Sequence, residues 1–118
     1  MKKFLYLLVF VSLLFSCTEA AEKPITELTS EDIENAVLID VRTPEEFAEG
    51  HLEGAINYNW YDEGFAQQFE AIGKNKKIYV YCKVGGRSAS AAKFLDSLGY
   101  SRIIDLTGGY DAWLEAQD

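Results

Sequence analysis

The stretch Ile78-Tyr79-Val80-Tyr81-Cys82-Lys83-Val84-Gly85-Gly86-Arg87-Ser88 (IYVYCKVGGRS) decides how this chain folds. It opens as a short β-branched and aromatic run, the composition of a buried strand. It then turns through two glycines and two cations into residues 88–98, a helix that Gly99 closes. Residues 36–41 (AVLIDV) form a second apolar run, and residues 102–106 a third. Strands alternating with helices predict an α/β domain whose parallel sheet has helices on both faces. In such sheets ligands bind beyond the carboxyl ends of the strands, and Cys82 stands at one of those ends.

The chain has 118 residues, enough for one domain. Not all of it is domain. Two lysines after Met1 precede a short, almost wholly apolar run over residues 4–15. At ~1.5 Å per residue that run is too short to cross a ~30 Å hydrocarbon core comfortably, and it reads as a secretory signal peptide. The break Leu14-Phe15-Ser16-Cys17 resembles the lipobox of bacterial lipoproteins, in which the cysteine is acylated and becomes the new N-terminus. The expected organisation is a signal peptide over 1–16, a lipidated tether over 17–24 and a folded domain over 25–118. The resemblance implies anchoring of Cys17 to a bacterial membrane, on its periplasmic or cell-surface face.

The formal net charge is −8, and it falls to about −10 once Lys2 and Lys3 leave with the signal peptide. Repulsion from a phosphate backbone excludes nucleic acid as a partner. With Cys17 lipidated, Cys82 has no disulfide partner within the chain. A lone thiol in an oxidising compartment is either deeply buried or kept for its reactivity.

Along the domain, Ile25 and Leu28 suit a short edge element, and Thr29 or Ser30 caps a small helix through Asn35. Thr43-Pro44-Glu45-Glu46 is a helix start, with Thr43 and Glu46 placed for a reciprocal capping box and Pro44 in the first turn. Glu45, Glu46 and Glu49 read as a capping and solvated face, and Gly50 ends that helix. Residues 63–72 have helical spacing, with Phe65, Phe69 and Ile72 on one stripe, and residues 110–116 form a terminal helix.

The loop after Cys82 suits nucleophilic chemistry. A free thiol, with a pKa near ~8.5, is mostly protonated at neutral pH, while the thiolate is the nucleophile. Three features favour the anion at Cys82. The loop runs into a helix N-terminus. Gly85 and Gly86 let successive N–H groups turn inward. Lys83 and Arg87 add positive charge, and the planar Arg87 fork suits an oxyanion.

Those residues, Cys82-Lys83-Val84-Gly85-Gly86-Arg87-Ser88, resemble the C-x-x-G-x-R-S loop of single-domain rhodaneses. Asp40-Val41-Arg42-Thr43-Pro44-Glu45-Glu46-Phe47 is similar to that family's D-V-R-x-x-x-E-[FY] segment. Gly50-His51-Leu52-Glu53-Gly54-Ala55-Ile56-Asn57 and Leu106-Thr107-Gly108-Gly109-Tyr110-Asp111-Ala112-Trp113 resemble two further segments, in the same order. The resemblance covers the chain from about Ile25 onward. It implies a rhodanese-like fold and sulfurtransferase chemistry. A sulfane sulfur passes from a donor such as thiosulfate to Cys82, and from the resulting persulfide to an acceptor such as cyanide or a thiol. It also implies that the amides of Lys83, Val84, Gly85, Gly86, Arg87 and Ser88 stabilise the anionic persulfide, that Lys83 and Arg87 orient the donor, and that no metal or organic cofactor is needed. A sulfur-relay protein is a further partner consistent with this chemistry.

Asp40 and Arg42 end a strand beside the loop and read as a supporting ion pair. His51 reads as a hydrogen-bonded structural residue, and Gly108 and Gly109 as points of close backbone approach. Two rival functions remain at this level. A related phosphatase or arsenate reductase uses a loop one residue longer than the four residues between Cys82 and Arg87, so this cradle suits phosphate poorly. A non-catalytic module that accepts sulfur or binds a partner retains the fold, and turnover separates it from an enzyme.

Overall fold

A computed structural model describes residues 20–117, and one parallel sheet organises them. Its strands are Ala21–Pro24 (β1), Val37–Asp40 (β2), Ile56–Asn57 (β3), Ile78–Tyr81 (β4) and Ile103–Thr107 (β5). They lie in the order β1-β5-β4-β2-β3, with every neighbouring pair parallel. The helices are Ser30–Glu34 (α1), Pro44–Glu49 (α2), Phe65–Gln68 (α3), Gly86–Ser97 (α4) and Gly109–Ala116 (α5). The expected α/β class, with a parallel sheet between helices, is what the chain adopts.

Strand β4 shows why. All four of its residues are buried, because a central parallel strand has cover on both faces. Its side chains alternate, Ile78 and Val80 entering one apolar cluster and Tyr79 and Tyr81 the other. The first cluster receives Phe65 and Phe69 from the α3 region and Ala91, Ala92 and Leu95 from α4. On α4, the buried Ser88, Ala91, Ala92 and Leu95 recur at three- and four-residue spacing, and the two alanines let the helix lie close to the sheet. The second cluster receives Ile33 of α1 and Tyr110, Ala112 and Trp113 of α5. Each large apolar side chain fully buried this way stabilises the fold by about 1.5–3 kcal/mol.

The chain order creates the site. From β2 the sheet grows to one side through β3 and to the other through β4, so the carboxyl ends of β2 and β4 lie side by side at the point of divergence. Asp40 pairs with Tyr81 in register, and Val41 N–H donates to the Tyr81 carbonyl at 2.9 Å. The residues that follow, Arg42 and Cys82, therefore emerge together.

Three local readings need correction. Half of the expected 17–24 tether belongs to the sheet, since Ala21 to Pro24 pair with Ile104 to Thr107. An edge strand is held by backbone bonds and needs no apolar alternation, so its polar, largely exposed side chains hid it. Ile25–Glu27 is a 3-10 turn rather than an edge element. The helix expected over 63–72 is regular only at α3, after which tighter three-residue bonds carry the chain to Ile72 while Phe65 and Phe69 still reach the core. The two-residue β3 has no counterpart in the sequence reading. Both helix caps hold: Thr29 caps α1 and Thr43 caps α2, each in a reciprocal capping box. Cys17 and the signal-peptide assignment lie outside the described residues.

Candidate active site

Cys82 leaves the end of β4 only 1% exposed, with its sulfur at the base of a turn. Gly85 N–H donates to Sγ at 3.1 Å and Ser88 N–H donates to it at 3.3 Å. The thiol donates in turn to Ser88 Oγ at 3.5 Å, and the Ser88 hydroxyl donates to the Gly85 carbonyl at 3.3 Å. Gly85 adopts φ +131°, a left-sided conformation that costs glycine little and other residues much. Backbone donors converging on one sulfur are suited to hold it as an anion. Gly86, Arg87 and Ser88 form the first turn of α4, so the helix dipole has the same sense.

The turn is fixed from behind by the start of α5. Tyr110 N–H donates to the Cys82 carbonyl at 2.8 Å and Asp111 N–H to the Lys83 carbonyl at 3.0 Å. Gly109, at φ +68°, makes that approach possible. A Cβ there would strike the Lys83 carbonyl oxygen and lie 2.7 Å from the Cys82 oxygen. The expected close backbone approach is thus, at Gly109, a clamp on the cysteine loop, whereas Gly108 makes room for the Ala112 and Ile25 side chains.

Asp40 and Arg42 are both buried and tightly bound to each other. Arg42 Nε donates to both Asp40 carboxylate oxygens at 3.0 and 3.1 Å, and Nη2 donates to Oδ2 at 2.7 Å. Nη2 also donates to the Gly50 carbonyl at 2.7 Å, and the guanidinium lies 4.4 Å from the centre of the Tyr110 ring. The Asn57 amide, marked in the sequence only by its place at the end of the Gly50–Asn57 segment, donates to the Asp40 and Arg42 carbonyls at 3.0 and 2.9 Å. The pair supports the loop's neighbours and makes no hydrogen bond to Cys82. His51 is exposed, stacks on Phe47 with ring centres 3.6 Å apart, and uses Nδ1 to donate to the Phe47 carbonyl at 2.8 Å. That is the structural role expected of it.

The loop cations are arranged differently from the sequence expectation. Arg87 turns its fork on Glu46, Nη1 donating to Oε1 at 2.7 Å and Nη2 to Oε2 at 3.0 Å. Lys83 Nζ donates to both oxygens of Asp111 at 2.9 and 3.0 Å in an exposed pair. Glu46 therefore caps α2 and anchors the loop at once. The capping role was legible in the Thr43–Glu46 spacing, while nothing marked Glu46 as the partner of Arg87 or Asp111 as the partner of Lys83. Val84, between these pairs, projects at the tip.

The Arg87 hydrogen bonds hold the Glu46 carboxyl at about 2, against an ordinary value of 4.5. Because the folded value is the depressed one, this pair stabilises the fold above pH 4.5 and its contribution fades as pH falls towards 2. Melting curves across that window should show an acid loss in the wild type that Glu46→Gln lacks. Parallel pH profiles for the two proteins would show that the pair does not couple to folding.

A thiol in an amide cradle, at the carboxyl end of a parallel strand, defines a cysteine-centred site in an α/β domain. A family model described as rhodanese-like domain matches residues 25–116. Thiosulfate sulfurtransferase 16, chloroplastic, of Arabidopsis thaliana is 40% identical over 85 residues, covering 64% of this chain and 71% of that one. A sulfurtransferase of Allochromatium vinosum is 34% identical over 82 residues, covering 70% and 75% respectively. The crystal structure of a rhodanese-related protein from Thermoplasma volcanium superposes with a TM-score of 0.68 at 31% identity, covering 83% of this chain and 92% of that one. The chain belongs to the rhodanese-like domain family, whose sulfurtransferase-named members support sulfur transfer as its general class of activity.

Proposed function

We propose that this domain moves a sulfane sulfur from a donor to a thiophilic acceptor through a persulfide on Cys82. The observation that carries this reading is the pair of N–H bonds from Gly85 and Ser88 to the Cys82 sulfur. In the first half-reaction the Cys82 thiolate attacks the donor's outer sulfur, and the donor's own S–S bond breaks with its electron pair leaving on the departing group. In the second, an acceptor such as cyanide or a thiol attacks the terminal sulfur and regenerates the thiolate. Splitting the transfer this way is nucleophilic catalysis, and it calls for no metal or organic cofactor. The amides from Lys83 to Ser88 serve the terminal sulfur anion, and Asp40 with Arg42 keeps the neighbouring strand end in place.

Turnover tests this. Wild type supplied with a sulfane donor and cyanide should form thiocyanate through many cycles while leaving aryl phosphate esters intact. Sulfuration without turnover would favour a sulfur-accepting module, and Cys82-dependent ester hydrolysis would favour the phosphatase reading.

We further propose that Cys17 carries the lipid that holds the domain at a bacterial membrane, facing the periplasm or the exterior. The Leu14-Phe15-Ser16-Cys17 break supports this, because several acyl chains on one residue anchor stably where one does not. Fractionation should find wild type with membranes and Cys17→Ala released. Equal solubility of the two would refute the anchor.

A further inference from the structure

Among the described residues, each cation around the mouth of the Cys82 loop is already paired with a carboxylate. Arg87 is bound to Glu46, Arg42 to Asp40 and Lys83 to Asp111. A cavity of about 340 Å³ opens beside the loop, lined by Arg42, Glu46, Lys83 and Asp111, and a further carboxylate, Glu49, also faces it. The cavity lining thus sets two cations, Arg42 and Lys83, against three carboxylates, Glu46, Glu49 and Asp111, in a chain whose net charge is already −8. A small dianion entering there must take a cation from its carboxylate or sit in a net negative field.

The rim has the opposite character. Val84 at the loop tip is 65% exposed, and Leu114, 46% exposed, lines the same cavity. Tyr61, 66% exposed, stands 5.7 Å from the Arg87 guanidinium. Exposed apolar side chains in the cavity and along the loop favour a ligand that brings carbon with it. The cavity's size fits a small molecule.

We propose, building on the sulfurtransferase reading above, that the preferred donor is a low-molecular-weight organic persulfide, R–S–S–H, whose carrier R has no negative charge, rather than thiosulfate. The Cys82 thiolate attacks the outer sulfur and forms the new S–S bond. The bond between the two donor sulfurs breaks, and the carrier leaves as R–S⁻ with that electron pair, to be protonated by solvent. The outer sulfur and its proton move together, so no external oxidant or reductant is needed.

Single-turnover sulfuration of Cys82, followed by intact mass, tests the proposal with three donors. These are thiosulfate, the persulfide of 2-mercaptoethanol and the persulfide of 3-mercaptopropionate; the two persulfides differ chiefly in carrier charge. The uncharged carrier should react about tenfold faster than the carboxylate carrier, and the gap should shrink at high salt. Glu46→Gln frees Arg87 and Asp111→Asn frees Lys83. Each should raise the rate ratio of thiosulfate to the 2-mercaptoethanol persulfide by about tenfold. Asp111 is on the surface, so its variant serves even if Glu46→Gln loosens the α2 cap. Equal rates for the two persulfides, with that ratio unchanged in both variants, would overturn the donor assignment and leave sulfur transfer standing. Failure of all three donors to sulfurate wild-type Cys82 would overturn the sulfurtransferase reading itself.

Discussion

Asp40→Ala is expected to lose about 3–5 kcal/mol of folding stability, the scale for stripping one partner from a buried ion pair. Arg42 would keep its charge inside the protein with the Gly50 carbonyl and the Tyr81 and Tyr110 rings to receive it. The backbone N–H of Arg42 would also lose its bond to Asp40 Oδ1, at 2.9 Å. The damage should travel, because Arg42 touches α5 through Tyr110 and α5 clamps the cysteine loop. Replacing both partners by apolar residues of similar volume, as in Asp40→Leu with Arg42→Met, should restore much of the loss, since no charge then stays buried. Urea unfolding of the single and double variants measures both effects. A single variant within about 1 kcal/mol of wild type would place the pair among surface-like ion pairs.

Cys82→Ser is expected to lower sulfur transfer by more than about 10³-fold, the scale seen when a nucleophile is removed from a concerted site. A serine hydroxyl is far harder to ionise than a thiol at neutral pH, and its oxygen is a poor nucleophile towards sulfur. Stability should change little, because a serine oxygen still accepts from the Gly85 and Ser88 amides that now bond to Sγ. The melting transition and the steady-state rate of the variant separate these effects. A well-folded Cys82→Ser protein with more than a tenth of wild-type activity would move the chemistry to another residue.

The parts of this fold legible in the sequence are those set by local chemistry. The buried run of β4, the glycine turn and the small-residue face of α4 all lie within a single stretch, and the capping boxes at Thr29 and Thr43 span four residues each. Contacts made across long separations were not legible. Glu46 and Arg87 are 41 positions apart and Lys83 and Asp111 are 28 apart, so composition showed cations in the loop and gave no sign that carboxylates would neutralise them. Likewise β1 and β3 lie at the sheet's two edges, where side chains carry little pattern. Phe65 and Phe69, on one stripe with Ile72 in the sequence, reach the core although the helix around them is short, because burial follows their spacing more than the length of regular hydrogen bonding.

The most direct test of the central claim is the intact mass of the soluble domain after exposure to sulfane donors and removal of excess reagent. Wild type should gain about 32 Da, one sulfur atom, at Cys82, and cyanide should remove it as thiocyanate, while Cys82→Ser gains nothing. A wild-type protein that stays at its starting mass with every sulfane donor, yet hydrolyses phosphate esters through Cys82, would contradict the account.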